Sequence, residues 1–388
     1  MRKFFSLLLS TLLVFSGCIA AFTIAYVVIN SSPEWNETEP VELTEVGSPY
    51  KFYYGDLSSV QKHAYNEILK NVYSMPERIR IPNLDQAEME EVFYALLADN
   101  PDLFFVGRAA DLETRMLKTY CKMNYAVSRD EYESSRKALE DACQKVVSSL
   151  TDSGNQWQTE LEIHDYIIDN CSYKFDDREA VYSTAYGALV NGLAACEGYS
   201  KAAKMLFDAV GIESAVVSGE STDFEGVTGN HMWNAVKING DFYYLDCTWD
   251  DPVSTTGESV KTYYYFNVSS EMLSVTHSNF SYDFSCDSEA ENYYVKTGKY
   301  FKTYDRTDEA ALSALIAREL SAGSTEIQIR FGTSDAFETA VAELIGEERI
   351  RKVLLAASEK TNVDFSTNSL VYYQDSGQLT LTLIPELK

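Results

Sequence analysis

The sequence predicts an α+β protein on three observations. An amphipathic helix begins at a cysteine, a strand pair follows a few dozen residues later, and further helices and short strands are interspersed on both sides. The helix is read from ACEGYSKAAKMLFDAVG, Ala195 to Gly211, in which Tyr199, Ala202, Ala203, Leu206, Phe207 and Val210 recur at the spacing of one buried face. Gly211 ends it. Cys196 therefore falls at or just before the first turn, where unpaired N–H groups and the positive end of the helix dipole favour a thiolate over a thiol.

The strand pair is read from HMWNAVKINGDFYYLDCTWDDP, His231 to Pro252, with Asn239-Gly240 as a tight hairpin turn. Pairing Ile238 with Asp241 predicts Trp233 opposite Asp246 and His231 opposite Thr248. His231 and Asp246 then become diagonal neighbours on one face, at about 7–8 Å. Met232, Val236, Ile238, Tyr243, Leu245 and Cys247 are expected on the other face, against the core.

The remaining elements follow in chain order. Arg2 and Lys3 precede an apolar run from Phe4 to Ile29, so residues 1–30 are expected to be a membrane anchor or a lipoprotein signal. An uncleaved helix is the favoured reading, with lipidation of Cys18 in Phe15-Ser16-Gly17-Cys18 as the alternative; either puts the bulk of the chain outside the cytoplasm. Residues 31–49 are acidic and contain Pro33, Pro40 and Pro49, as in an extended linker. Residues 50–153 read as an amino-terminal α+β region: helices at Leu57 to Tyr73, Leu84 to Asp99 and Asp130 to Leu150, and strands at Leu103 to Val106 and Leu117 to Val127. Residues 154–304 form the core, completed by aromatic strands near Tyr263 to Phe266 and Tyr293 to Val295. Residues 305–388 are expected to be a small α/β domain: a helix from Asp305 to Leu320, a strand at Glu326 to Phe331, helices between Ala336 and Ser358, and strands at Leu370 to Tyr373 and Leu379 to Ile384.

Composition narrows the chemistry. A net charge of −27, from 59 acidic and 32 basic residues, argues against nucleic acid as a partner. No CxxC or HExxH spacing calls for zinc, and no metal or other cofactor is expected. Asp246, Asp250 and Asp251 lack the glycine and ligand spacing of a calcium loop. Seven cysteines, Cys18 among them, define no disulfide framework. Of the four histidines, His63, His164 and His277 have no catalytic context, and for His63 and His164 a surface or core role is expected. Alone, Cys196 would be a small buried hydrophobe, His231 a core histidine and Asp246 a turn carboxylate. Together they are the parts of a Cys-His-Asp triad.

These segments resemble the transglutaminase-like superfamily of papain-type folds, in its bacterial surface-anchored branch. ACEGYS resembles its nucleophile motif, HMWNAVKINGDFYYLDCTWDDP its histidine and aspartate motifs, and GALVNGLA, Gly187 to Ala194, the approach to the cysteine. The likeness runs from about Glu160 to Pro252. It implies a papain-like transglutaminase core in which Cys196 is the nucleophile, His231 the general base and acid, and Asp246 the residue that orients the imidazole. Cys247 departs from the usual pattern. The expected function is an extracellular thiol enzyme acting on amide or peptide bonds through a cysteinyl thioester, as protease, amidase or protein-glutamine acyltransferase, with protein or cell-wall peptide as substrate. The alternative is a catalytically inactive surface binding or scaffold protein. The membrane would be met through residues 4–29 or a lipidated Cys18.

Overall fold

The computed structural model describes residues 42–115, 118–151, 154–176, 178–223, 225–252 and 261–388. The expected anchor at 4–29, Cys18 and most of the linker lie outside them. Among the described residues, no helix is long and apolar enough to cross a membrane.

The amino-terminal region runs α1 (Phe52–Asp56), α2 (Ser59–Val72), β1 (Arg78–Ile81), α3 (Gln86–Asp99), β2 (Asp111–Arg115), β3 (Lys118–Lys122) and α4 (Arg129–Ser149). Capping boxes set two helix starts: Ser58 with Gln61 opens α2, and Asp85 with Glu88 opens α3. The strands form an antiparallel sheet in the order β1-β3-β2. Leu103 to Val106 is not the expected strand. Leu103 N is bonded to Asn100 O and Val106 N to Leu103 O in turns, and the tie to the neighbouring segment is one isolated bridge, Val106 with Tyr125, in which Phe105 O accepts from Ala126 N. Phe104 and Phe105 serve as buried plugs instead.

The core continues with α5 (Gln156–Asn170), β4 (Ser172–Tyr173), β5 (Leu193–Ala194), α6 (Cys196–Val210), β6 (Ser214–Thr222), β7 (Thr228–Ile238), β8 (Asp241–Leu245), α7 (Ser270–Leu273), β9 (His277–Ser278) and α8 (Tyr293–Lys296). Its main sheet is antiparallel, in the order β8-β7-β6-β9. Ile238 pairs with Asp241, and Asn239 and Gly240 both have positive φ, as the tight turn requires. Tyr199, Leu206 and Phe207 of α6 share one hydrophobic core with Val236, Ile238, Tyr243 and Leu245.

The second face of this sheet carries His231 at one end and is packed along the rest. Trp233, Ala235 and Tyr244 are buried there against Tyr265, Val268, Leu273 and Phe284. The segment that follows β8 wraps back over that face. Within it, Tyr264 to Phe266 form a turn, with Phe266 N bonded to Tyr263 O, and Tyr293 to Val295 lie in the helix α8, where Asn292 Oδ1 accepts from Tyr294 N. The aromatic runs read as strands work by stacking: the Tyr263 and Tyr293 rings lie 3.8 Å apart.

The carboxy-terminal region contributes β10 (Tyr300–Phe301), α9 (Glu309–Ser321), β11 (Ile327–Phe331), α10 (Ser334–Val341), α11 (Ile350–Ser358), β12 (Phe365–Asp375) and β13 (Thr380–Leu387). Its sheet has the order β10-β11-β13-β12, with β10 parallel to β11 and the other pairs antiparallel. A separate apolar core fills it. Arg330 Nη1 donates to Tyr264 O at 2.7 Å and Gln378 Nε2 to the Tyr265 hydroxyl at 2.6 Å, joining this region to the core beside the β7-β8 hairpin. The whole is the predicted α+β class.

Candidate active site

Cys196 is the first residue of α6. The cap position, Ala195, has no side chain that can accept from the helix, so the first N–H groups are not spent on a side-chain cap. Ala195 N is held by Tyr182 O at 2.8 Å, and Gly198 lets the helix approach that 3-10 turn, residues Ala180–Ser183: a Cβ there would sit 2.5 Å from Tyr182 O. At the far end Gly211, at φ +75°, accepts the left-handed cap conformation. The helix is thus pinned at both ends, with the thiol partly exposed at its start.

His231 lies on β7 and Asp246 just beyond β8, and both are buried. His231 Nε2 meets Asp246 Oδ2 at 2.6 Å. That leaves Nδ1 as the ring nitrogen not held by Asp246, and Cys196 is one of the neighbours that raise the His231 pKa. The route to this pairing differs from the expected one. The β7-β8 ladder stops at Asn234 opposite Leu245, so Asp246 is not a strand partner of Trp233. The chain instead turns after Leu245, with Asp250 N bonded to Asp246 O, and Asp246 Oδ1 accepts from Thr248 N and Trp249 N at 2.9 and 3.1 Å. Its other oxygen is aimed at the imidazole.

The electrostatics follow from this placement. Burial alone would lower the His231 pKa, but the Asp246 carboxylate overrides it, Cys196 adds to the effect, and the imidazole is pushed up to about 10. Burial would likewise raise Asp246, yet His231 and then His277 hold it well below the usual carboxylate range. The pair is therefore an imidazolium and a carboxylate at neutral pH. Trp233 and Trp249 lie with ring centroids 6.0 and 5.7 Å from His231, which excludes water and strengthens the interaction.

His277 was given no role by the sequence. The fold brings it to the same carboxylate, Nε2 to Asp246 Oδ2 at 3.2 Å, fully buried. It stands on a two-residue strand with no motif around it, 31 positions from Asp246, so no local signal could have found it. His231, Asp246 and His277 bring possible ligand atoms within 4.8 Å of one another. Both imidazoles approach one carboxylate oxygen at hydrogen-bond distance, the arrangement of a proton-linked group.

The other aspartates in the motif are occupied elsewhere. Asp250 accepts from Tyr265 N and Thr262 Oγ1 and pairs with buried His164, whose second nitrogen meets Asp165. Asp251 accepts from the Tyr199 hydroxyl at 2.6 Å. His164 thus has the expected core role. Cys121, Cys143, Cys171, Cys247 and Cys286 are buried free thiols, and burial drives Cys247 well above the ordinary thiol range.

Cys196 and His231 open into a cleft of about 960 Å³ between the core and α3 with the segment at Arg108. Its walls mix apolar surface, such as Tyr94 and Phe175, with Glu197, which pairs with Lys201 at 2.8 Å and Arg108 at 3.9 Å. Such a cleft can hold an extended chain across the thiol.

Residues 140–247 match the sequence model of the Transglutaminase-like superfamily, a stretch that contains Cys196, His231 and Asp246. Among solved structures, a TGase aligns at 18% identity and a TM-score of 0.26, covering 44% of this chain and 50% of that one. A proposed cysteine protease from Cytophaga hutchinsonii aligns at 15% identity and 0.24, covering 37% and 54%. A proposed protease from Parabacteroides distasonis aligns at 15% identity and 0.23, covering 40% of each chain. The chain thus spans about half the length, or less, of the structures it matches. No curated protein matches.

Proposed function

We propose that the protein is a thiol enzyme that opens amide or peptide bonds through a cysteinyl thioester. One observation carries this reading: His231 gives Nε2 to Asp246 at 2.6 Å, which leaves Nδ1 for a cysteine at an uncapped helix start.

In this mechanism the Cys196 thiolate attacks the carbonyl carbon, and the oxyanion forms beside the Cys196 backbone N–H, a donor worth on the order of 3 kcal/mol. His231 gives its proton to the leaving amine as the C–N bond breaks and the thioester remains. Water then adds, His231 takes its proton, and the thiolate departs with the acid released. An amine in place of water would make the same enzyme a protein-glutamine acyltransferase. Asp246 holds the ring in one orientation throughout.

We further propose that it acts outside the cytoplasm, on protein or cell-wall peptide. Arg2 and Lys3 ahead of the apolar run Phe4 to Ile29 support that reading.

The test is incubation with a glutamine peptide and a labelled amine, alongside alkylation of Cys196 by iodoacetamide across pH. Amine incorporation lost in Cys196→Ala supports transfer, and ammonia or fragment release lost in the same variant supports hydrolysis. Alkylation no faster than an ordinary thiol, with neither product, would sink the proposal.

A further inference from the structure

We propose that the carboxy-terminal region positions the site, through a one-way chain of hydrogen bonds that runs from Gln378 through Tyr265, Thr276 and His277 to Asp246. This rests on the reading of Asp246 as the partner of His231.

The direction of each link is forced by chemistry. An ionised Asp246 can only accept, so the hydrogen at the 3.2 Å contact belongs to His277 Nε2. In the neutral ring Nδ1 is then an acceptor, and the Thr276 hydroxyl, 2.9 Å away, must donate to it. The Thr276 oxygen is left to accept from the Tyr265 hydroxyl at 3.3 Å, and the Tyr265 oxygen accepts from Gln378 Nε2 at 2.6 Å. Every link has one donor and one acceptor, and all four point at the carboxylate.

The surroundings agree. The titratable groups facing His277 are Asp246, His231 at 5.4 Å between rings and Tyr265 at 5.5 Å, while its backbone partner on β6 is the uncharged Ser221. Trp233 and Trp249 enclose it at 4.8 and 4.9 Å. Burial pushes His277 down and the His231 charge adds to this, against the pull of Asp246, so the ring is neutral as the chain requires.

The outer end is anchored as firmly. Gln378 sits in the β12-β13 turn, where Asp375 Oδ1 accepts from Gly377 N and Gln378 N at 2.9 and 3.0 Å. Arg330 holds the carbonyl of Tyr264, and Tyr265 O in turn accepts from Asp246 N at 3.2 Å. Tyr265 therefore grips Asp246 by its backbone while relaying to its side chain. His277, Thr276 and Gln378 are positioning residues, none of them in contact with a reacting atom.

The experiment uses the full chain labelled with ¹⁵N-histidine, reading imidazole tautomers by NMR and Cys196 alkylation by iodoacetamide across pH. His277 is expected as the Nε2–H tautomer. Thr276→Val, which keeps the shape and removes the donor, is expected to lose that single tautomer, shift the pH profile and slow alkylation near neutrality by up to about tenfold. Thr276→Ser should restore both. Gln378→Leu, at the half-buried outer end of the chain of bonds, should move the profile in the same direction by about threefold. An Nδ1–H tautomer in the wild type, or an unchanged tautomer and profile in both Thr276→Val and Gln378→Leu, overturns the chain. A wild-type Cys196 of ordinary reactivity would count against the proposed function, while the tautomers still judge the chain.

Discussion

Asn234 Nδ2 donates to Ser200 O at 2.9 Å, a buried bond that ties β7, three residues from His231, to α6, four residues from Cys196. The same amide reaches Ala215 O at 3.3 Å, so one side chain joins the nucleophile's helix to two strands of the sheet. The thiol and the imidazole are thereby held on separate elements at a set distance.

Asn234→Leu removes both bonds in a fully packed setting. It is expected to cost about 1–3 kcal/mol of stability and to slow Cys196 alkylation. Urea unfolding, with the alkylation rate measured well below the transition, checks both effects. An unchanged rate in a destabilised protein would mean that the helix and sheet are aligned by packing alone.

Gly198→Ala tests the close approach beneath Cys196. The added Cβ would meet Tyr182 O at 2.5 Å and the Ala194 side chain at 2.7 Å, so the helix start has to shift. A loss of about 1–3 kcal/mol is expected, despite the better helix propensity of alanine. Thermal melting is the measurement, and a gain in stability would contradict the packing.

The His231–Asp246 pair makes a signed prediction about pH. His231 rises from 6.5 to about 10 on folding, so its contribution is fully present below pH 6.5 and is lost as pH rises through about 10. Asp246 falls below its ordinary 3.8, so its contribution is present above that value and is lost as acid titrates it. The melting-temperature gap between wild type and Asp246→Asn should therefore be widest between about pH 4 and 6.5 and should narrow toward pH 10. A gap that does not change with pH would refute the ion pair.

Glu160 makes a prediction opposite in sign to that of Asp246. It is fully buried, and burial pushes it up to about 8 from 4.5, against the opposing bond from Asn267 Nδ2 at 2.7 Å. The folded chain thus holds a proton that the unfolded chain releases, and stability falls as pH rises from 4.5 to about 8. Glu160 Oε1 and Asn267 Oδ1 are both buried without a partner, so the amide of Glu160→Gln can pair with Asn267. That variant should lose this pH dependence and gain stability at pH 8 by up to a few kcal/mol. Melts at pH 5 and pH 8 decide it, and equal losses at both would mean the carboxyl is needed as such.

Much of the site was legible because its determinants are local. The 3.6-residue stripe from Tyr199 to Val210 and Gly211 identify α6, and Asn239-Gly240 identifies the hairpin with its register. Errors fell where tertiary contacts overrode pattern. Phe104 and Phe105 have strand-like side chains but lie in a turn between the bonded amides of Leu103 and Val106, and Tyr293 and Tyr294 enter a helix once Asn292 caps it. The packing of the hairpin's second face was not legible, because the segment that buries Trp233 and Tyr244 comes from farther along the chain.

The sequence by itself determined that Cys196 begins a helix and that a hairpin carries His231 and leads to Asp246, since a buried helical stripe ended by glycine and a two-residue turn are specified by the residues that form them. Only the tertiary structure decided that Asp246 leaves its strand to meet His231, that His277 joins it, and that Gln378 stands at the far end of the chain of donors. Those contacts join residues up to 113 positions apart, as Tyr265 and Gln378 are. No local preference encodes them, because they exist only once separate elements have packed.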